Sequence, residues 1–424
     1  MKTHLSPDRS PNSRTSLVSQ LITRLREIKP VENRRAGWTL IAIGVLIFII
    51  LCGRLLSIYD DPSDDDQLAF LNTASEVHDA GGISQLIRDL YEGRFTEANR
   101  HPLYIGLLSI YPTLEFGRGL SAMLGLSTLG LLTWLTARHT TLLTAGIFCV
   151  LLAINMAFCQ FSTRVVCDVL MILWGGVIYD IAARDVASPR LKWSLLIGGL
   201  LGLAYLTKGT GVPLVVGVVL WNVLLYLGSH TTRFAQEKRD YTIGRTIQSI
   251  VFILAVWLIV SSPLLSRNVK RYGSPLYNVN TWLLFVDEFE QPVELSERMT
   301  VGEAGRGYWK SHTISDMVKR EMTGLAWEAF ILVRMLGPFP LDDSRVLFGV
   351  PLLIFGLATV IYQPKPIHVL LVIWTCLLTV MFAWYIPIAA GERFLLPLLA
   401  PLLAHAAEGL VLLSGYTGTK LSSG

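Results

Sequence analysis

The sequence predicts an all-α, polytopic membrane helical bundle of about ten spans, and two observations carry the prediction. Of its 424 residues 52% are hydrophobic and only 16% charged, with a mean hydropathy of +0.50, too little charge to cover a water-soluble domain of that length. The apolar residues also fall in runs of about 20, the length a helix needs to cross a hydrocarbon core of about 30 Å. Lipid is therefore the solvent for most of the chain. The net charge of +4 is read by position, and no basic tract suited to nucleic acid is present.

A polar segment, 1–36, comes first. Val18, Leu21, Ile22, Leu25 and Ile28 share one helical face there, with Arg24, Arg26 and Lys29 elsewhere, before Pro30 ends the pattern. Both an amphipathic helix on an anionic leaflet and a disordered tail account for it. The spans follow at 37–58, 117–138, 140–161, 165–184, 191–207, 210–228, 245–264, 345–363, 366–386 and 393–414. Stretches 102–116 and 324–340 are short or interrupted by Pro and charge, and read as interfacial or re-entrant helices in the first and fourth outer loops. Residues 37–414 thus form one transmembrane domain, with 415–424 as a short tail. The polar start argues against a cleavable signal peptide, so 37–58 is expected to be its own anchor.

Orientation follows from the short loops. Arg34, Arg35, Arg138, Arg184, Arg190, Lys192, Arg233, Lys238, Arg239 and Arg245 all fall on one side, which the positive-inside rule makes cytoplasmic. Both termini are then inside, and the long segments 59–101 and 265–344 are outside, where function is expected to sit. The five cysteines, Cys52, Cys149, Cys159, Cys167 and Cys376, have no metal or disulfide spacing and read as packing residues, although a pair such as Cys159 and Cys167 could meet near one membrane face.

The first outer loop opens with Asp60, Asp61, Asp64, Asp65 and Asp66. Crowded carboxylates raise one another's pKa, which suits a general base. The same residues fit a helix start capped by Ser63, with Asp64 to Asp66 in its first turn, and they leave room for a divalent cation held by several oxygens. All three readings stand on the cluster alone. Further on, RHPLYIGLL at 100–108 has His101 before Pro102, an extended turn ahead of an apolar helix, and Tyr104 suited to an interface.

In order along the chain, Asp66 four residues before Phe70, Ala74, HPLY at 101–104, STRVVCDVL at 162–170, SSPLLSRNVKRYGSPLY at 261–277 and ERFLLPLLAPLL at 392–403 resemble the GT-C superfamily of membrane glycosyltransferases. The likeness is to the polyprenyl-phosphate-sugar-dependent branch that contains protein O-mannosyltransferases and aminoarabinose transferases. An acidic residue often follows the key Asp, where Gln67 stands, and a Tyr is common where Phe70 stands. The choice of base among Asp66, Asp65 and Asp64 therefore stays open.

The resemblance implies transfer of a sugar from a polyprenyl-phosphate-linked donor to a lipid, glycan or protein acceptor. It also implies a multi-pass protein of the plasma (inner) membrane with its active site outside. A base takes the acceptor's proton in a single inverting displacement, and cations meet the charge growing on the leaving lipid phosphate. Arg164, Lys208, Arg267, Lys270, Arg271 and Arg393 fall at outer span ends and are the candidate phosphate partners, with interfacial snorkelling as the alternative for each. Asp168, four residues after Arg164, pairs with it or positions substrate, and His101 and Tyr104 complete the substrate-binding set. No GxGxxG or P-loop occurs. A lipid-linked sugar flippase or other transporter would share this hydropathy, but internal repeats with mid-membrane ionisable residues are its usual mark.

Overall fold

The computed structural model describes residues 32–58, 65–187, 190–229, 242–385 and 391–421. Among them the chain forms helices and no strand. The segment 1–31, with its amphipathic pattern, lies outside the described residues, as do Ser63 and most of the loop at 229–244.

Helix α1 (Arg34–Ile58) crosses first, and the outer loop after it folds into α2 (Asp65–Asp79), α3 (Gly82–Glu92) and α4 (Pro102–Leu108). The first half of the bundle continues with α5 (Leu114–His139), α6 (Leu142–Ala153), α7 (Met156–Phe161), α8 (Asp168–Ala187), α9 (Leu191–Thr207) and α10 (Gly211–Ser229). Then come α11 (Ile243–Tyr272), the outer helices α12 (Pro292–Arg298), α13 (Val301–Ser311) and α14 (Ile314–Met335), and finally α15 (Val346–Tyr362), α16 (Pro366–Ala383) and α17 (Leu396–Leu421). Seven of these, α1, α5, α10, α11, α15 with its leading turn, α16 and α17, are long and apolar enough to cross a membrane.

Three expected spans, 140–161, 165–184 and 191–207, are not among these seven, although the last keeps its expected bounds. Span 191–207 is a helix of 17 residues, short but apolar. Span 140–161 is two helices, because Asn155 leaves the helical ladder to cap α7, accepting from Phe158 N at 3.0 Å, while its Nδ2 donates to the Met335 carbonyl at 2.7 Å. A buried amide finds backbone partners there that an unbroken helix would deny it. Span 165–184 begins later, at Asp168, after a turn, and carries Asp180, Arg184 and Asp185 at its far end. The interfacial stretches also shift: 102–116 holds the short α4 and the first residues of α5, and 324–340 takes in the second half of the longer α14 and the turn after it.

Lipid supplies no hydrophobic drive between helices, so close approach through small residues holds the bundle. A Cβ on Gly37 would stand 2.7 Å from the Leu142 carbonyl, and one on Gly44 would stand 2.8 Å from Cys149 Sγ, so α1 lies directly against α6. Gly202 does the same for α9 on Val260 of α11. Trp221 and Trp374 are fully buried, and each indole satisfies its N–H on a backbone carbonyl, Pro366 and Leu214 respectively, at 3.1 Å. All five cysteines are free thiols; four are buried and Cys376 is exposed.

The two long segments 59–101 and 265–344 meet among their described residues. Trp282, Leu283, Leu295 and Ala304 form a small core of their own. Four hydrogen bonds join 265–344 to the first loop: Tyr272 to the Thr96 carbonyl at 3.2 Å, Ser266 to the Tyr91 carbonyl at 3.1 Å, Asn280 Nδ2 to Asn99 Oδ1 at 2.7 Å, and Arg267 Nη1 to the Glu97 carbonyl. They close over the end of the bundle at which Asp66, Asp168, Lys208 and Arg393 converge.

Candidate active site

Asp66 stands in the first turn of α2, where a carboxylate faces the positive end of the helix. Its neighbour Gln67 is buried, and the Gln67 side-chain carbonyl accepts from Val165 N at 2.9 Å. That bond ties the start of α2 to the turn leading into Asp168. The residue that departs from the family pattern thus fixes the spacing of the two acids. Phe70 meets the Tyr104 ring edge-on, centroids 5.4 Å apart, and lies under the Arg100 guanidinium at 5.6 Å.

Four of the expected residues come together. Arg393, in the short 3-10 turn Glu392–Phe394 before α17, bridges the two acids: Nη1 donates to Asp66 Oδ2, and Nη2 donates to Asp168 Oδ2 at 2.8 Å. Lys208, just past the end of α9, donates to the other Asp168 oxygen at 2.6 Å. Asp168 itself is 0% exposed, so one buried carboxylate holds two cations side by side. The two cations match the two carboxylates in number, so an anion seated here would draw N–H donors from Asp66 or Asp168.

Sequence reasoning missed two residues here. Arg100 also pairs with Asp66, with Nη2 at 3.0 Å from Oδ1. Glu97 holds Arg100 in place, accepting from the backbone N–H of Asn99 at 2.7 Å and of Arg100 at 3.0 Å, with its carboxylate 3.6 Å from the guanidinium. Their only sequence signal was adjacency to His101-Pro102.

The expectation that crowding raises the carboxylate pKa is corrected for Asp66. Burial does push it up, but Arg393 and Arg100 outweigh burial and hold it below the usual carboxylate range. Asp64 lies outside the described residues, and Asp65 is described only as the first residue of α2.

The remaining candidates surround the network or stand apart from it. His101 caps α4, and its Nδ1 donates to the Tyr205 carbonyl, the only role a carbonyl partner allows. Burial, aided by Arg267 and Lys208, pushes its pKa down to about 4 against the pull of that hydrogen bond, so His101 is neutral at ordinary pH. Arg267, 2% exposed, donates to the Glu97 carbonyl and lies over the Phe95 and Tyr272 rings; it braces the first loop. Tyr104 is not interfacial. It is fully buried, its hydroxyl 2.8 Å from Ser121 Oγ, and it supports Phe70 from behind. Arg164 is half-buried in the turn before α8, so it and Asp168 do not share a helical face. Lys270 and Arg271 are exposed at the end of α11.

A divalent cation fits this arrangement poorly. Among the described residues no three His, Cys, Asp or Glu side chains could hold one. Both described acids are already in ion pairs, Asp66 with Arg393 and Arg100 and Asp168 with Arg393 and Lys208, so a metal between them would meet three cations. Asp60, Asp61 and Asp64 lie outside the described residues.

No family model and no curated protein matches the chain. Solved structures do. An oligosaccharyltransferase of Archaeoglobus fulgidus, tethered to an acceptor peptide containing the NVT sequon, aligns with a TM-score of 0.51 at 14% identity over 88% of this chain and 49% of its own. The same archaeal protein with Zn and sulfate aligns at 0.49 and 14% identity, over 88% of this chain and 48% of its own. In complex with an inhibitory peptide and a dolichol-phosphate it aligns at 0.46 and 13% identity, over 88% and 50%. This chain therefore spans about half the length of the protein it matches. At such identity the likeness is one of fold: this chain shares the fold of about half of the archaeal oligosaccharyltransferase.

Proposed function

We propose that this protein is a membrane glycosyltransferase that moves a sugar from a polyprenyl-phosphate-linked donor to an acceptor hydroxyl, in an inverting single displacement at the non-cytoplasmic face. The observation that carries the reading is the bridge of Arg393 between Asp66 and Asp168 with Lys208 beside it. A phosphodiester carries one negative charge, and its departure as a phosphate monoester adds another at the oxygen left by the anomeric carbon. Arg393 offers a planar pair of donors for it and Lys208 a point charge. Asp168 holds both cations ready, so they need not reorganise as the charge develops.

Asp66 is the base. As the acceptor oxygen bonds to the anomeric carbon and the bond to the phosphate oxygen breaks, the acceptor's proton passes to the Asp66 carboxylate. With both arginines on it, Asp66 is a weak acceptor. A donor phosphate that draws Arg393 to itself removes the stronger of the two pairings and restores the carboxylate's basicity. The base then becomes competent only once a donor is in place. No step needs a metal. The acceptor peptide tethered to the archaeal oligosaccharyltransferase supports a reading in which this protein too takes an acceptor.

The test is product release. Purified protein incubated with a sugar-charged polyprenyl phosphate and an acceptor fraction from its own membranes is expected to liberate free polyprenyl phosphate in step with glycosylated acceptor. A flippase would move the lipid without consuming it. Failure to release polyprenyl phosphate with every acceptor fraction would remove the transferase reading.

A further inference from the structure

The three residues of the turn Glu392–Phe394 point in three directions, since three residues per turn set successive side chains about 120° apart. Arg393 faces the two acids. Phe394 stacks on Phe382 with ring centroids 4.2 Å apart and lies 5.2 Å beneath the Lys208 ammonium. Glu392 turns away from the site, and it is 8% exposed. Its carboxylate accepts from Arg345 Nη2 at 2.6 Å and Nη1 at 3.3 Å, and from Arg334 Nε at 2.8 Å.

Both partners are themselves anchored. Arg345, buried in the turn before α15, donates from Nε to the Asp342 carbonyl at 3.0 Å. Arg334, in the last turn of α14, pairs with Asp343 at 2.7 Å. Three separate stretches of chain are thus tied at one carboxylate, and none of these residues touches Asp66 or Asp168. Burying such a cluster is costly, and the best-attested use of a buried ion pair is to impose one register on the elements it joins.

We infer that Glu392 is a positioning residue for Arg393. Its ion pairs with Arg334 and Arg345 lock the 3-10 turn in the one rotation that carries the Arg393 guanidinium onto Asp66 and Asp168. Arg has a long, rotamer-rich side chain, and a fixed backbone origin confines it before the ligand arrives, which is how preorganisation raises affinity. Replacing Glu392 by Gln keeps the volume but removes the charge that holds two guanidiniums. The turn then rotates, and the phosphate seat loses its bidentate partner although Arg393 is still present.

This inference rests on Arg393 as a phosphate partner, and a binding cycle tests it. Farnesyl phosphate is the probe, with equilibrium dialysis of the full-length protein in detergent. Wild type binds, Glu392→Gln and Arg345→Gln each bind about tenfold more weakly or worse, and Glu392→Gln with Arg393→Ala binds no more weakly than Arg393→Ala alone, because residues that act as a unit are not additive. Arg345→Gln leaves Glu392 bonded to Arg334 and carries the same cycle if Glu392→Gln does not fold. Additive losses in the double variant, or wild-type affinity in Glu392→Gln, would overturn the positioning role and leave the transferase reading intact. A wild type that binds no farnesyl phosphate would overturn both.

Discussion

Asp66 is the residue on which the chemistry turns, and its surroundings make a clear prediction. Asp66→Asn keeps the volume and the place in the first turn of α2, where Asn is as acceptable as Asp, but it has no carboxylate to take a proton. Transfer is expected to fall by about a hundredfold or more, in line with general-base contributions, with protein level and farnesyl phosphate affinity near wild type. Full activity in that variant would pass the role to Asp65 and then Asp64. His101 makes a second prediction, in pH. Its folded pKa of about 4 lies below the 6.5 of the free side chain, so between those values the unfolded chain takes up a proton that the folded one refuses. The stability it contributes is present above about 6.5 and lost as pH falls toward about 4. Melting temperatures followed over that range should slope downward with acid, and the slope should be shallower in His101→Gln; an unchanged slope would show that other groups carry it.

At the scale of elements, the helices are placed by where glycine permits contact. A Cβ on Gly324 would stand 2.8 Å from Ala383 Cα and closer still to the Ala383 carbonyl, so α14 and α16 touch backbone to backbone. Gly324→Ala should therefore force α14 off the bundle and lower the melting temperature by several degrees, since overpacking costs about 1–3 kcal/mol. Gly302→Ala in α13, with nothing within 4 Å, is the control and should leave it unchanged. Equal effects from the two would argue against packing as the cause. Hydropathy outlined most spans, but it ran 140–161 together because an apolar count is blind to Asn155, whose value lies in the Met335 and Gly337 carbonyls it reaches from a distance of some 180 residues in sequence. It likewise began 165–184 too early, since Val165 and Val166 are as apolar in a turn as in a helix.

For the whole molecule the question is sidedness. Arg190 and Lys208 stand at opposite ends of α9, so the carboxylate and arginine network lies at the end away from the basic short loops. Under the positive-inside rule the one-sided Arg and Lys distribution predicts a non-cytoplasmic site. In intact cells a membrane-impermeant maleimide should label Glu303→Cys on the outer segment directly, and Lys192→Cys only after permeabilisation. The reverse pattern would invert the topology and with it the face on which a donor must be presented.

The class of the protein was legible without any coordinates, because the cost of placing polar backbone and charge in lipid acts on every residue and leaves its mark as long apolar runs. Which of the acids and bases act together was not. Asp66, Asp168, Lys208 and Arg393 lie on four elements separated by up to 327 residues, and no local pattern records that Arg393 lies between the two acids or that Arg100 shares Asp66 with it. The fall in the Asp66 pKa, opposite to what its acidic neighbours suggested, came from guanidiniums distant in the chain. Glu392 read as a companion of Arg393 in one motif, and only packing revealed that it faces the other way, into Arg334 and Arg345. Hydropathy is a sum over neighbours in sequence, whereas a charge takes its properties from neighbours in space, and those are chosen by the tertiary fold.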